Sequence, residues 1–153
     1  MSQHPRLSVE CSTHVADQID IPAGADETNV GALVRFALER EGQAGDWIVN
    51  VAFVTKDEIA QLHHRFLDDL TPTDIITFPH DDGDGCGGDI AICVAVAAAQ
   101  GPEHGKSLSE ELLFLVLHGV LHLTGHDDQE YESRAAMLSR QQELYDAWLM
   151  VSR

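Results

Sequence analysis

The sequence predicts an α+β fold, a single domain in which a small mixed β-sheet packs with helices. Strand-like and helix-like patterns alternate along the chain, and neither an internal repeat nor a linker divides it. A length of 153 residues, 44% of them hydrophobic, suits one compact core and is too short for two domains of ordinary size. We therefore expect residues 1–153 to form one domain.

The first part of the chain predicts one strand followed by one helix. Apolar residues alternate with polar ones over residues 7–11, which indicates a strand. Asp26 or Thr28 can cap a helix whose apolar residues recur at helical spacing until Gly42 closes it. This spacing is typical of an amphipathic helix that buries one face.

The next segment predicts a strand, a helix and a second strand. Residues 47–54 (WIVNVAFV) are rich in bulky and β-branched side chains, as strands are. Thr55 and Glu58 have the spacing of a capping box, so a helix begins directly after that strand. Residues 74–78 then predict a short strand that Pro79 ends.

Residues 80–89 (HDDGDGCGGD) predict a mobile loop that joins two strands. Their acidic side chains resemble a calcium-binding loop, but the ligand register breaks at Cys86, and Cys93 stands where the bidentate glutamate is expected. Calcium binding is therefore disfavoured. Residues 89–94 predict a strand buried on both faces, and residues 95–100 a short helix.

The next helix carries the most informative pattern in the chain. Ser107 and Glu110 form a second capping box, and residues 111–123 (ELLFLVLHGVLHL) are apolar on nearly every side, which predicts a buried helix. His118 and His122 are four residues apart, so both imidazoles lie on one helix face. Buried imidazoles lose their solvation unless something binds them, and this favours a metal site on this helix of the C-terminal half.

A third metal ligand is expected just after this helix. Gly125 can end the helix and turn the chain back, so that Asp128 or His126 points at the same ion. The pattern HxxxHxxGxxD has the ligand spacing of the extended zincin motif and favours Asp128, with His126 as the alternative. Two imidazoles, one carboxylate and an open position are typical of catalytic rather than structural zinc.

Two other residues of this helix limit the chemistry that the metal site can support. Gly119 stands where zincin proteases carry their catalytic glutamate, so a peptidase of that class is disfavoured. Glu111 lies about 10 Å from His118 along the helix axis, too far to bind the same ion. We expect Glu111 either to support a ligand indirectly or to cap the helix. A general base must therefore come from another part of the chain.

Composition restricts the partners and the compartment. The formal net charge of −17 repels a polyanion, so a nucleic-acid partner needs a locally positive site or a bound cation. Three widely spaced cysteines without a CxxC pair suit reduced thiols in a reducing compartment. The N-terminal residues show no signal-peptide pattern, and no segment reaches the roughly 18 apolar residues of a spanning helix. We expect a cytoplasmic protein with no membrane partner.

Residues 129–150 predict a final amphipathic helix that docks on the core.

Three blocks together resemble one protein family. Residues 118–128 (HGVLHLTGHDD) resemble the hallmark HGxLHLxGxDH of the YbeY endoribonuclease family, which are bacterial rRNA maturation factors. Residues 62–79 (LHHRFLDDLTPTDIITFP) look like the family segment that ends in PTDVLSFP. Residues 87–93 (GGDIAIC) look like its GDIxIC strand. The blocks occur in family order, so the resemblance is specific.

The resemblance implies a YbeY-like metal-dependent hydrolase with an α+β fold and one bound Zn²⁺ ion. Its implied activity is that of a single-strand-specific endoribonuclease that matures the 3′ end of 16S rRNA and acts in ribosome quality control. The implied partners are single-stranded RNA, the 16S rRNA precursor, and the small ribosomal subunit with its proteins. No DNA partner is expected.

The sequence departs from the family pattern at two positions. The first two motif histidines fall on His118 and His122, but the third falls on Asp128, which leaves a bound ion less positive than a third imidazole would. Some members carry an arginine implicated in RNA cleavage where this chain has Leu67. Arg65, two residues earlier, is the candidate catalytic residue, and an ordinary surface residue is its alternative interpretation. The ion would then be the main phosphate anchor, and it would activate water or position the ribose 2′-OH.

Two other functions remain open. A metal-dependent hydrolase of a non-RNA substrate would lose its metal on chelation but would yield no RNA products. A noncatalytic ribosome-assembly factor is favoured by the acidity, because acidic proteins bind basic ribosomal proteins readily. Such a factor would still associate with the small subunit after His122→Ala.

Overall fold

A computed structural model of the chain describes residues 6–67, 73–80 and 86–152, except for the side chains of Phe66 and Leu67. Within these residues, four strands form one sheet and there are five α-helices. The strands are β1 (Leu7–Val15), β2 (Gly45–Val54), β3 (Ile75–Pro79) and β4 (Cys86–Cys93). The helices are α1 (Glu27–Arg40), α2 (Lys56–Leu67), α3 (Val94–Gln100), α4 (Leu108–Leu123) and α5 (Tyr131–Val151).

The sheet is mixed, with the strand order β1-β2-β4-β3. Strand β2 pairs in parallel with β1 on one side and with β4 on the other. Strand β3 pairs antiparallel with β4, with Ile76 opposite Ala91. The predicted α+β class with a small mixed sheet is therefore confirmed.

Helix α4 lies at the centre of the main hydrophobic core. It packs against α1, α3 and α5 and against strands β3 and β4. The core side chains come from one face of the sheet and from the helices over it, and they include Leu33, Val49, Phe53, Ile90, Ile92, Leu112, Val116, Leu117, Leu121 and Leu144. A smaller cluster under α2 contains Val54, Ile59, Ile76 and Cys93. None of the described helices is long and apolar enough to cross a membrane.

The capping hydrogen bonds predicted at the helix starts are present. Ser107 Oγ accepts from the Glu110 backbone N–H at 3.2 Å, and Glu110 Oε1 accepts from the Ser107 N–H at 2.9 Å. Thr55 and Glu58 make the same reciprocal pair. For α1 the cap is Asp26 rather than Thr28, because Asp26 Oδ1 accepts from the backbone N–H three residues later. Local sequence therefore determines where these helices begin.

Strand β4 begins earlier than the sequence predicts. Residues 86–88 belong to the strand and not to the preceding loop. Gly87 has φ +142, and a Cβ atom there would lie within van der Waals overlap of the Ile48 carbonyl. Because glycine has no Cβ atom, β4 can approach β2 closely here, and the strand pairing extends to residue 86. In the sequence alone, the same glycine favours a loop. Residues 81–85, which carry most of the acids of the disfavoured calcium loop, lie outside the described residues.

Candidate metal centre

The two histidines lie on the least buried stripe of helix α4. Between Glu111 and Leu121 every residue is buried except Phe114 and His118, which face α5. The side chains of His118 and His122 are 19% and 23% exposed. The prediction of a buried helix is confirmed, but its histidines are open to solvent on one side, so a ligand from solution can reach them.

Three donor atoms converge at the C-terminal end of α4. The Nε2 atoms of His118 and His122 are 3.2 Å apart. Asp128 Oδ2 lies 3.3 Å from Nε2 of His122 and 3.6 Å from Nε2 of His118. Ligands of a tetrahedral zinc ion with bonds of about 2.0 to 2.1 Å stand about 3.3 Å from one another. The donor types and separations of this His–His–Asp cluster (His118, His122 and Asp128) therefore fit one zinc-sized ion.

A short loop brings Asp128 back to the helix. Gly125 has φ +106, a conformation that side chains disfavour, and the chain reverses there. The backbone N–H of His126 then donates to the Leu121 carbonyl at 3.0 Å. We call residues 124–130 the Asp128 loop. The predicted role of Gly125 in ending the helix is confirmed.

His126 points to a different partner. Its Nε2 lies 2.6 Å from Glu41 Oε1, and the same carboxylate accepts from Arg140 Nε at 2.8 Å. Burial opposes ionisation of Glu41, but the hydrogen bonds from Arg140 and His126 outweigh it and hold the pKa of Glu41 below its ordinary value. The geometry therefore favours Asp128 over His126 as the third ligand, and metal binding by either residue stays a prediction.

A buried glutamine on α5 orients the first histidine. Gln141 is 1% exposed, and its Nε2 donates to the Phe114 carbonyl at 2.9 Å. Its Oε1 therefore faces Nδ1 of His118, 3.1 Å away, and can only accept from it. Since Nδ1 carries the proton, the lone pair of neutral His118 is on Nε2, the atom that points into the cluster.

Sequence reasoning missed Gln141, although one signal was available. It is a polar residue on the apolar stripe of the last helix, whose other members include Met137, Leu144 and Trp148. A buried amide among such residues needs hydrogen-bond partners, which points to a polar site nearby.

Glu111 has neither of the roles expected for it. Its side chain is 1% exposed, and both carboxylate oxygens lie near Nδ1 of His104, at 3.0 and 3.1 Å. The capping function belongs to Glu110. Glu111 therefore ties the turn Pro102–His104 to α4 and does not contact the cluster.

Packing explains why no glutamate follows the first histidine. A Cβ atom on Gly119 would lie 2.8 to 3.0 Å from three side-chain carbons of Ile90. Ile90 is itself only 1% exposed on strand β4. Helix α4 thus packs directly on the sheet at this point, and a longer side chain has no room.

Two arginines are candidate cations for the substrate, and the structure places Arg134 next to the cluster. Arg65 lines a groove of about 260 Å³ together with Glu58, Gln61 and Leu62, and its catalytic role stays a prediction. Arg134, which sequence reasoning missed, donates from Nε to the backbone carbonyl of Asp128 at 3.1 Å. A guanidinium group therefore lies directly beside the third member of the cluster.

Comparison with known proteins gives one consistent family. The family model described as Endoribonuclease YbeY matches residues 13–149. A protein named Endoribonuclease YbeY from Beutenbergia cavernae is 34% identical over 143 residues, covering 87% of this chain and 94% of that protein. One of the same name from Carboxydothermus hydrogenoformans is 35% identical over 140 residues, covering 88% and 94%. The solution structure of TM1509 from Thermotoga maritima matches with a TM-score of 0.62 at 27% identity, covering 93% of this chain and 89% of that one.

Proposed function

The chain belongs to the Endoribonuclease YbeY family, and on that premise we propose that it is a zinc-dependent endoribonuclease specific for single-stranded RNA. The observation that carries the proposal is the convergence of His118 Nε2, His122 Nε2 and Asp128 Oδ2, whose separations of 3.2 to 3.6 Å suit one tetrahedral ion. A site with three protein ligands leaves a position for substrate or water, as a catalytic site requires.

Within this proposal five side chains have roles at the cluster. His118, His122 and Asp128 hold the ion, and Gln141 keeps His118 in the tautomer that can bind it. When bound, zinc supplies a Lewis acid for a phosphate oxygen and activates water or positions the ribose 2′-OH. Arg134 offers a cation beside Asp128 that can pair with an RNA phosphate.

The cluster is also accessible to a polynucleotide. The side chains of its three residues are 19, 23 and 38% exposed, so a phosphodiester can approach the donor atoms from solvent. The net charge of −17 works against RNA binding at a distance. The ion and Arg134 would together supply the locally positive site that this acidity makes necessary.

The proposal is tested by cleavage of an end-labelled single-stranded RNA. Zinc-loaded protein should cleave it, whereas chelated protein and the His122→Ala variant should not. His14→Ala is a matched control, because His14 is exposed on β1 and lies outside the cluster. The same RNA annealed to its complement should resist cleavage. Equal cleavage by all samples would indicate a contaminating nuclease and would contradict the proposal.

We further propose that the biological substrate is the 16S rRNA precursor and that the protein acts in 3′-end maturation and ribosome quality control in the cytoplasm. The three sequence blocks of the family support this role. Purified protein should shorten the 3′ extension of precursor small subunits, and mapping of the RNA ends would show it. Accumulation of unprocessed ends in the presence of zinc-loaded protein would argue against this substrate.

The net charge favours one alternative, a noncatalytic ribosome-assembly factor that binds basic ribosomal proteins. The His122→Ala variant separates the two functions. If the variant still associates with the small subunit, and zinc-loaded protein cleaves neither free RNA nor precursor subunits, the assembly role is supported instead.

A further inference from the structure

We propose that Glu41 is a positioning residue for the metal centre, because it holds His126 and thereby fixes the loop that carries Asp128. The inference rests on the proposed metal centre and adds a residue from a distant part of the chain. Glu41 follows directly after helix α1 and is 85 residues away from His126 in sequence. It does not contact the cluster, so it would act only through the loop.

The Glu41 carboxylate uses each oxygen for a different partner. Oε1 pairs with Nε2 of His126 at 2.6 Å, and Oε2 accepts from Nε of Arg140 at 2.8 Å. The Glu41 side chain is 10% exposed and its two partners are about one third exposed, so both interactions are partly shielded from solvent. Arg140 is in turn held by the Arg40 carbonyl at 3.0 Å and by Glu143 at 3.1 Å. One oxygen of the carboxylate therefore bonds to a side chain of α5, and the other bonds to the loop.

Among the described residues, the two ends of the Asp128 loop bond to α4 and α5 through Thr124, Gly125 and Glu130. Fewer contacts hold the middle of the loop. The His126 backbone N–H bonds to Leu121, and the Asp128 carbonyl accepts from Arg134, which is an exposed side chain. The Asp128 carboxylate lies near the two histidines of the cluster and is 38% exposed. The pairing of His126 with Glu41 is thus a partly buried side-chain contact that joins the middle of this loop to the end of α1.

Loss of this contact should lower zinc affinity without removing a ligand. A loop that is free to move must be ordered when the ion binds, and that ordering opposes binding. If Glu41 served only to connect α1 with α5, its effect would depend on its bond to Arg140 and not on its bond to His126. The two partners of Glu41 can therefore be tested separately.

The test is zinc affinity, measured by competition with a chromophoric chelator at a temperature where circular dichroism shows every variant folded. Glu41→Ala should bind zinc about 10-fold to 100-fold more weakly than the unmodified protein, the range found for residues that orient metal ligands. Glu41→Gln keeps an oxygen that can accept from His126 and should recover part of the affinity. Arg140→Gln should be less stable yet bind zinc within about 3-fold of the unmodified protein, because His126 keeps its partner.

Three outcomes would overturn the inference. Equal affinity of Glu41→Ala and the unmodified protein would show that the loop needs no anchor. An equal loss in Arg140→Gln would assign the effect to the packing of α1 against α5. If Glu41→Ala does not fold, Glu41→Gln is compared with His126→Gln, and unchanged affinity in both would refute the proposed link. Absence of zinc binding by the unmodified protein would instead refute the metal centre itself.

Discussion

The side-chain oxygen of Gln141 lies 3.1 Å from Nδ1 of His118, while the nitrogen of the same amide donates to the Phe114 carbonyl. A buried residue of α5 thus sets the tautomer of a histidine on α4. The contact between these two helices therefore does more than bury apolar surface. It leaves the lone pair of His118 on Nε2, the atom that faces the cluster.

Replacing Gln141 by Leu should weaken zinc binding by about 10-fold to 100-fold, because His118 loses the acceptor that fixes its tautomer. The change also removes one of two donors to the Phe114 carbonyl, which keeps its bond within helix α4, and this should cost about 0.5–1.5 kcal/mol of the free energy of unfolding. Chelator competition and urea denaturation measure the two effects. Gln142→Leu is the control, since Gln142 is exposed and its bond within the described part of the chain is to Asp146. Equal zinc affinity in both variants would refute the role of Gln141.

The third ligand can be identified by comparing two substitutions. Asp128→Asn should lower zinc affinity by more than about 100-fold, because it removes a charged donor from the ion. His126→Asn should lower it by only about 10-fold, because His126 acts through the loop. Chelator competition ranks the two variants. A larger loss in His126→Asn would assign the third position to His126 and contradict the geometry of the cluster.

The features that sequence predicts here are local ones. The two capping boxes, the spacing of His118 and His122 and the turn at Gly125 each depend on residues within one or two helical turns. Such short-range patterns determine backbone conformation directly, so they could be read without a structure.

The supporting residues could not be predicted, because they depend on packing between distant elements. Gln141 is 23 residues from His118, and Glu41 is 99 residues from Arg140. Neither separation follows a helical or strand period, so no local pattern indicates the contact. The early start of β4 could not be predicted for a similar reason. The conformation of Gly87 favours a strand only because β2 lies beside it.

Gly119→Ala should destabilise the protein by about 1–3 kcal/mol, because the added carbon overlaps the buried side chain of Ile90. Gly31→Ala is a matched control within helix α1, where an added Cβ atom would meet only one carbon of Cys11 at 4.0 Å. That variant should be stabilised by about 0.5–1 kcal/mol, since alanine favours helix. Urea denaturation compares them. Ile90→Val in the Gly119→Ala background should restore part of the loss, and equal stabilisation of both alanine variants would contradict the packing described.

Arg134→Gln should weaken binding of single-stranded RNA and reduce the salt dependence of binding by about one unit of slope, as expected for one lost phosphate contact. The affinity of the zinc-loaded protein for RNA is measured at several salt concentrations, under conditions in which the RNA is not cleaved. Arg35→Gln is the control, because it removes the same charge from an exposed pair with Glu39 on α1. If both variants lose the same affinity, the effect belongs to net charge and Arg134 has no specific role.

Tyr145 should make the protein less stable at alkaline pH. Its side chain is 4% exposed and donates to Glu110 Oε2 at 3.3 Å. Burial, followed by the charge of Glu110, raises the pKa of Tyr145 from 10.0 to about 12. The unfolded chain therefore releases this proton at lower pH than the folded protein does. The stabilisation is complete below pH 10 and is lost as the pH rises towards 12.

Tyr145→Phe should remove this alkaline loss, because phenylalanine has no proton to release. At neutral pH it should cost about 0.5–1.5 kcal/mol, the contribution of one hydrogen bond. Urea denaturation at a series of pH values above neutrality measures both effects. Tyr131→Phe is the matched control, since Tyr131 is 82% exposed at the start of α5. The same alkaline slope in the two variants would mean that Tyr145 releases its proton equally in the folded and unfolded states, and the proposed coupling to Glu110 would be wrong.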